Sequence, residues 1–294
     1  MDDALLRQQA EIARHLVPLE GFDPGRIEHP MISLRSNGRS AEQMRPVTIT
    51  RNCLKNAQGS CLICFGDTQV LCCATIEEHM AGWRKGSGLG WVTAEYAMLP
   101  ASGSKRTKRE TNGQKGRSQE IQRLVGRSLR SVIDMSAMGG EVTVTVDCDV
   151  IQADGGTRTA SVTGGWVALH DALELWKRAG KIRSNPLFGQ VAAVSVGLVD
   201  GRELLDLDYA EDSKAEVDMN VVRTDKGEYV EVQGTGERVS FSRPRLGRFL
   251  DLADAGTDRL LALQRAALEA GPARPGERVT VSMDIDGVIV REGA

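Results

Sequence analysis

Six acidic side chains crowd into thirteen residues of this sequence: Asp206, Asp208, Glu211, Asp212, Glu216 and Asp218, with only Lys214 opposing them. Like charges at this density repel, so such a cluster is either splayed into solvent or compensated by a cation or a proton. Divalent-metal binding is the sharper reading, because hard carboxylate oxygens suit Mg²⁺ or Mn²⁺. In DLDYAEDSKAEVDMNVV, the apolar Met219, Val221 and Val222 put Asp218 at the entry to a strand and Asp212 in the turn before it.

A second constellation is GGTRT, Gly155 to Thr159. Paired glycines let a backbone approach a ligand closely, and the helix expected to follow offers free N–H groups and the positive end of its dipole. Arg158 adds a planar fork suited to phosphate. The bland alternative is an ordinary glycine turn with a threonine cap. The sequence holds no GxxxxGK[ST], and GSGLG at Gly86 to Gly90 lacks the setting of a dinucleotide fingerprint.

The third feature is basic. Between Lys105 and Arg130 stand nine Lys and Arg residues against Glu110 and Glu120, a local charge of +7 in a chain whose total is −3. The remainder therefore carries −10, so the near-neutral total conceals two opposed regions. A charge run is commonly just a solvated face. Here it spans a polar loop and then one side of a helix, a geometry that follows a phosphodiester backbone.

Other chemistries find little support. Four histidines (His15, His29, His79, His170) form no H-x-x-x-H, and there is no G-x-S-x-G elbow. Cys61 and Cys64 make a C-x-x-C without a second pair at zinc spacing, and in a strand their side chains point to opposite faces. Most of the six cysteines fall in apolar runs and read as small core residues.

These groups must be held by elements legible as periodicity. VTITR, SCLICF and QVLCCATI read as a β-meander with a GDT turn, WVTAEYAML as a further strand, and VTVTVDCDV as another. Ile121, Leu124, Val125, Leu129 and Val132 recur at helical steps, predicting a helix over about 118–134. A second long helix is expected over about 159–178, then strands VAAVSVGLV, ELLDLDY, EVDMNVV and EYVEVQG, then two helical stretches, about 243–253 and 257–270. This order argues an α+β, two-layer fold and not strict βαβ alternation.

At 294 residues, 41% hydrophobic and 26% charged, the composition excludes wholesale disorder, collagen and transmembrane bundles. Aromatics at 4% disfavour an extensive stacking platform, so a nucleic acid is expected to be held mainly by its phosphates. No cationic lead into an apolar run and no apolar run near 18 residues is present, which makes the cytoplasm the expected compartment.

In chain order, RSNGRSAEQMRPVTITR, FGDTQVLC, GWVTAEYAMLP, GRSQEIQRLVGRSLR, DCDVIQADGGTRTASVTGG, YAEDSKAEVDMNVV and EVQGTGE resemble the ribonuclease PH family of bacterial phosphate-dependent 3′ exoribonucleases. The resemblance runs from about Arg35 to Ala270, leaving 1–34 as an N-terminal extension, 35–270 as the catalytic domain and 271–294 as a C-terminal tail. It implies a pair of ββαβ-type halves and a hexameric ring of dimers. It also implies inorganic phosphate as co-substrate, bound by Arg117, Gly156, Thr157 and Arg158, with Asp212 and Asp218 as catalytic aspartates that either ligate Mg²⁺ or supply a proton. Arg106, Lys108 and Arg109 are expected to guide RNA, and tRNA precursors trimmed at the 3′ end are the implied substrate. The family pattern is departed from in both tails and in a slightly shorter loop at Lys105 to Lys115. A non-catalytic ring subunit of an exosome-like assembly is the alternative; the presence of every phosphate and carboxylate position weighs against it.

Overall fold

Alternation of buried and half-exposed side chains along β1 (Val47–Arg51), β3 (Thr68–Glu77) and β5 (Thr143–Gln152) marks a sheet with one covered face. In the computed structural model, which describes residues 35, 37–110, 116–271 and 277–291, these strands join β2 (Gly59–Phe65), β4 (Trp91–Met98), β10 (Val279–Met283) and β11 (Ile289–Arg291). The order is β11-β10-β1-β2-β3-β5-β4, antiparallel except where β4 runs beside β5. A second, antiparallel sheet contains β6 (Val191–Val199), β7 (Arg202–Leu205), β8 (Val217–Thr224) and β9 (Tyr229–Thr235), ordered β7-β6-β8-β9.

Four helices accompany the sheets among the described residues. α1 (Gly116–Arg130) packs on β4, and α4 (Arg243–Glu269) on β6. The central α2 (Thr157–Arg178) lies against β2 and β3 of the first sheet and β6 of the second, which is why its apolar residues surround it instead of forming a stripe. The short α3 (Tyr209–Asp212) precedes β8. One continuous core runs through both sheets, so the two parts are fused in packing. The α+β class is as expected, although the halves are unequal at seven and four strands.

Three boundaries differ from the periodic reading. The first helix ends at Arg130, because the Ser128 and Ser131 hydroxyls turn back onto the carbonyls of Leu124 and Ser128 and Ile133 bridges to Leu187. The two expected terminal helices are one. Gly256, in the gap between the two expected stretches, is buried against Leu205 and Val194, where an added Cβ would stand 2.8 Å from a Leu205 methyl. Last, the C-terminal tail, where the sequence leaves room for one strand, supplies two, β10 pairing with β1 and β11 with β10. The N-terminal extension expected over 1–34 lies outside the described residues.

Candidate active site

Segments from both sheets enter one cleft of about 780 Å³. The turn between β5 and α2 contributes Ala153, Gly155, Gly156, Thr157 and Arg158; the loop after β4 and the start of α1 contribute Lys105, Lys108, Arg109 and Arg117; α3 and β8 contribute Tyr209, Asp212, Asp218 and Asn220. Residues singled out separately in sequence thus meet in space: Arg117, Gly156, Thr157, Arg158, Asp212, Asp218, Lys108 and Arg109 all line it. Arg106 is exposed on the same loop but is not among the lining residues.

The turn before α2 needs its glycines. Gly155 and Gly156 have φ of 73° and 66°, and a Cβ on Gly155 would lie 2.6 Å from the Leu207 carbonyl oxygen. Gly156 occupies the N-cap without a side-chain cap, so the first amides of α2 are left to face a ligand. Thr68, from the GDT turn, fastens the loop: its hydroxyl donates to the Gly155 carbonyl at 2.6 Å and accepts from the Asp154 amide at 2.9 Å. The Tyr96 hydroxyl, buried in β4, is 2.8 Å from Thr157 Oγ1. Arg158 is aimed from the second sheet, donating from Nη1 to Gln233 Oε1 at 2.7 Å, while Gln233 Nε2 donates to Glu120 Oε1 at 2.5 Å.

The acidic cluster separates into two populations. Asp206 and Glu211 are buried and paired with Arg35, Arg39 and Arg45, so arginine supplies their compensation and neither solvent nor a metal does. Arg45 grips Asp206 twice, Nε at 3.0 Å and Nη2 at 2.7 Å, and its Nη1 donates to the Asp154 carbonyl under the phosphate-loop candidate. Burial alone would raise the Asp206 carboxyl; the Arg45 and Arg39 charges and the Arg45 hydrogen bonds hold it below the ordinary range. Asp208 caps α3 reciprocally with Glu211. Three arginines in RSNGRSAEQMR were the available signal for this network, but a charge count confined to the acidic segment misses it.

Of this cluster, Asp212 and Asp218 are the acids that line the cleft. Burial raises Asp212, against the pull of Arg117 and Arg158. Burial and then the Asp212 charge push Asp218 up to about 6. Asp218 thus keeps its proton up to about pH 6 beside a second raised carboxyl, the property of a general acid or base. Among the described residues no three His, Cys, Asp or Glu side chains converge as a metal cage. Asn220, two residues along β8 from Asp218, and Ser195, its partner across β6, complete the floor; neither was singled out from sequence.

Comparison with known proteins agrees with this geometry. Family profiles described as 3′ exoribonuclease family (RNase PH), domains 1 and 2, match residues 43–173 and 189–256. Ribonuclease PH of Mycolicibacterium gilvum is 56% identical over 241 residues, covering 81% of this chain and 92% of that protein. Ribonuclease PH of Brucella ovis is 54% identical over 238 residues, 80% of this chain and 100% of the other. Among solved structures, rice (Oryza sativa) Rrp46 superposes with a TM-score of 0.64 at 21% identity, covering 79% of this chain and 98% of that one. An Archaeoglobus fulgidus exosome with RNA bound to the active site gives 0.67 at 21%, covering 78% and 91%.

Proposed function

Because the chain belongs to the ribonuclease PH family of 3′ exoribonucleases, we propose that its cleft carries out phosphorolysis of RNA from the 3′ end. The observation that carries this reading is the convergence of an uncapped helix start and two arginines with two raised carboxylates in a single cleft.

Inorganic phosphate sits at the start of α2, between Arg117 and Arg158, with Gly156 and Thr157 supplying backbone and hydroxyl contacts. There its charge is neutralised and its oxygen is directed at the terminal 3′,5′-phosphodiester. The new P–O bond forms to that phosphorus as the bond to the penultimate 3′ oxygen breaks. A nucleoside 5′-diphosphate leaves, and the shortened RNA takes a proton on its 3′ oxygen. Asp218, titrating at about 6, is suited to deliver that proton and to withdraw it in the reverse, chain-extending direction.

Asp212 and Asp218 are also the two carboxylates that would hold Mg²⁺. Bound there, the ion would supply further charge neutralisation on the scissile phosphate. Lys108 and Arg109 at the cleft, with Arg106 outside it, track the backbone of incoming RNA. The natural substrates proposed are tRNA precursors and other RNA, and the working assembly a hexameric ring of dimers. No helix among the described residues is long and apolar enough to cross a membrane, and the cytoplasm is the compartment proposed.

The reading is tested by incubating RNA and Mg²⁺ with the protein in buffers with and without phosphate. Nucleoside diphosphates only in the phosphate buffer support it. Binding without products in either buffer would assign the chain to the non-catalytic class.

A further inference from the structure

Tyr209 is an aromatic residue in the cleft with an exposed side chain. Of the described Phe, Tyr and Trp residues only Tyr96 and Tyr209 line it, and Tyr96 is buried with its hydroxyl engaged by Thr157. Tyr209 keeps 56% of its surface open, and its hydroxyl has no protein partner among the described residues. Exposure alone is ordinary for a surface aromatic; what sets this ring apart is that it is the open aromatic side chain among the described residues lining the cleft.

Its backbone, by contrast, is tightly held. Tyr209 opens α3, where Asp208 and Glu211 form a reciprocal cap and Asn37 Nδ2 donates to Asp208 Oδ2 at 2.8 Å. The Tyr209 amide donates to Asp154 Oδ1 at 3.3 Å, and Gly155 leaves room there for no side chain, since its Cβ would stand 2.9 Å from the Tyr209 nitrogen. The ring is thus anchored to the loop that holds phosphate. Asp212 follows three residues later, on the same side of the helical turn.

We propose that Tyr209 is the stacking platform for the base of the 3′-terminal nucleotide, the one being removed. The proposal rests on the reading of the cleft as a phosphorolytic centre and adds what locates the reacting nucleotide in it. A base stacked on this ring sets its own 5′ phosphate between the phosphate loop and the Asp212–Asp218 pair. Every base has a π face, so the platform tolerates all four and accounts for an enzyme that proceeds through successive nucleotides without reading them. One tyrosine suffices for this, which reconciles the scarcity of aromatics with a need to fix the terminal residue.

The test is a cycle in which the ring and the base are removed separately and together. Wild type, Tyr209→Ala and Tyr209→Phe are assayed on an RNA with an ordinary 3′-terminal nucleotide and on the same RNA with an abasic one, both with phosphate saturating. Loss of a stack is expected to lower kcat/KM for RNA about tenfold to a hundredfold. Tyr209→Ala on ordinary RNA and wild type on abasic RNA should each show this loss. Tyr209→Ala should lose nothing further on abasic RNA, and Tyr209→Phe should match wild type throughout. Losses that multiply in the doubly altered combination, or a Tyr209→Ala enzyme as active as wild type on ordinary RNA, would overturn the proposal. Wild-type cleavage that proceeds without phosphate would instead remove the phosphorolytic reading, and the cycle would still report on stacking through whatever cleavage remained.

Discussion

Arg158 Nη1 donates to Gln233 Oε1 at 2.7 Å, tying the start of α2, which packs on the seven-stranded sheet, to β9 of the four-stranded one. The guanidinium proposed to hold phosphate is therefore oriented by a residue from the other sheet, and Gln233 is itself fixed by Glu120 of α1. Replacing Gln233 with Ala removes this hydrogen bond while leaving the arginine its charge and its 3.6 Å ion pair with Glu120. The expected outcome is a rise of about tenfold in the KM for phosphate, with the KM for RNA little changed, read from initial rates over a phosphate titration. Arg158→Ala should raise the phosphate requirement further and leave RNA binding nearly intact.

Asp218 and Asp206 belong to one acidic stretch yet should affect stability in opposite senses. Asp218 is raised from 3.8 to about 6, so the folded state binds its proton more tightly than the unfolded chain does. Stability from this group is full below about pH 4 and declines as the pH rises to about 6. Asp218→Asn should abolish that decline and stabilise the protein at pH 7.5 by on the order of 1–3 kcal/mol while removing activity. Urea unfolding at pH 4.5 and 7.5, for wild type and variant, measures both.

Asp206 is lowered by its arginines, so its contribution is present above about pH 4 and is lost as the pH falls through its folded pKa. Asp206→Ala strands Arg45 and Arg39 in the interior and is expected to cost about 3–5 kcal/mol. The denaturant midpoint should drop at pH 7, and the phosphate loop should loosen with it because Arg45 also holds the Asp154 carbonyl.

The basic loop should separate by position. If Lys108 and Arg109 each contact a phosphate of single-stranded RNA, removing either should weaken binding and reduce the slope of log K against log salt by roughly 0.7. Arg106, which does not line the cleft, should change the slope less. Filter binding across a salt series, with catalysis blocked by Asp212→Asn, checks this order.

Much of this centre was legible in the chain. GGTRT announced a glycine turn opening a helix, and D-M-x-V-V announced a strand carrying Asp218, because local backbone requirements leave local signatures. What was not legible depends on distant partners. Arg45 meets Asp206 across 161 positions and Gln233 meets Arg158 across 75, and neither spacing has a period. The continuity of α4 was hidden for a related reason: Gly256, between the two expected helical stretches, is the small residue that lets the helix approach Leu205. The tail's second strand was not legible, because β11 pairs only with β10, and β10 finds its own partner in β1, more than 220 residues earlier.

The central claim is that inorganic phosphate is the attacking group. Radiolabelled inorganic phosphate supplied with unlabelled RNA and Mg²⁺ follows that group directly. The account predicts that the released nucleotides are 5′-diphosphates labelled at the β position, one label per nucleotide, and that Arg158→Ala suppresses the labelling at low phosphate. Release of unlabelled nucleoside monophosphates would contradict it.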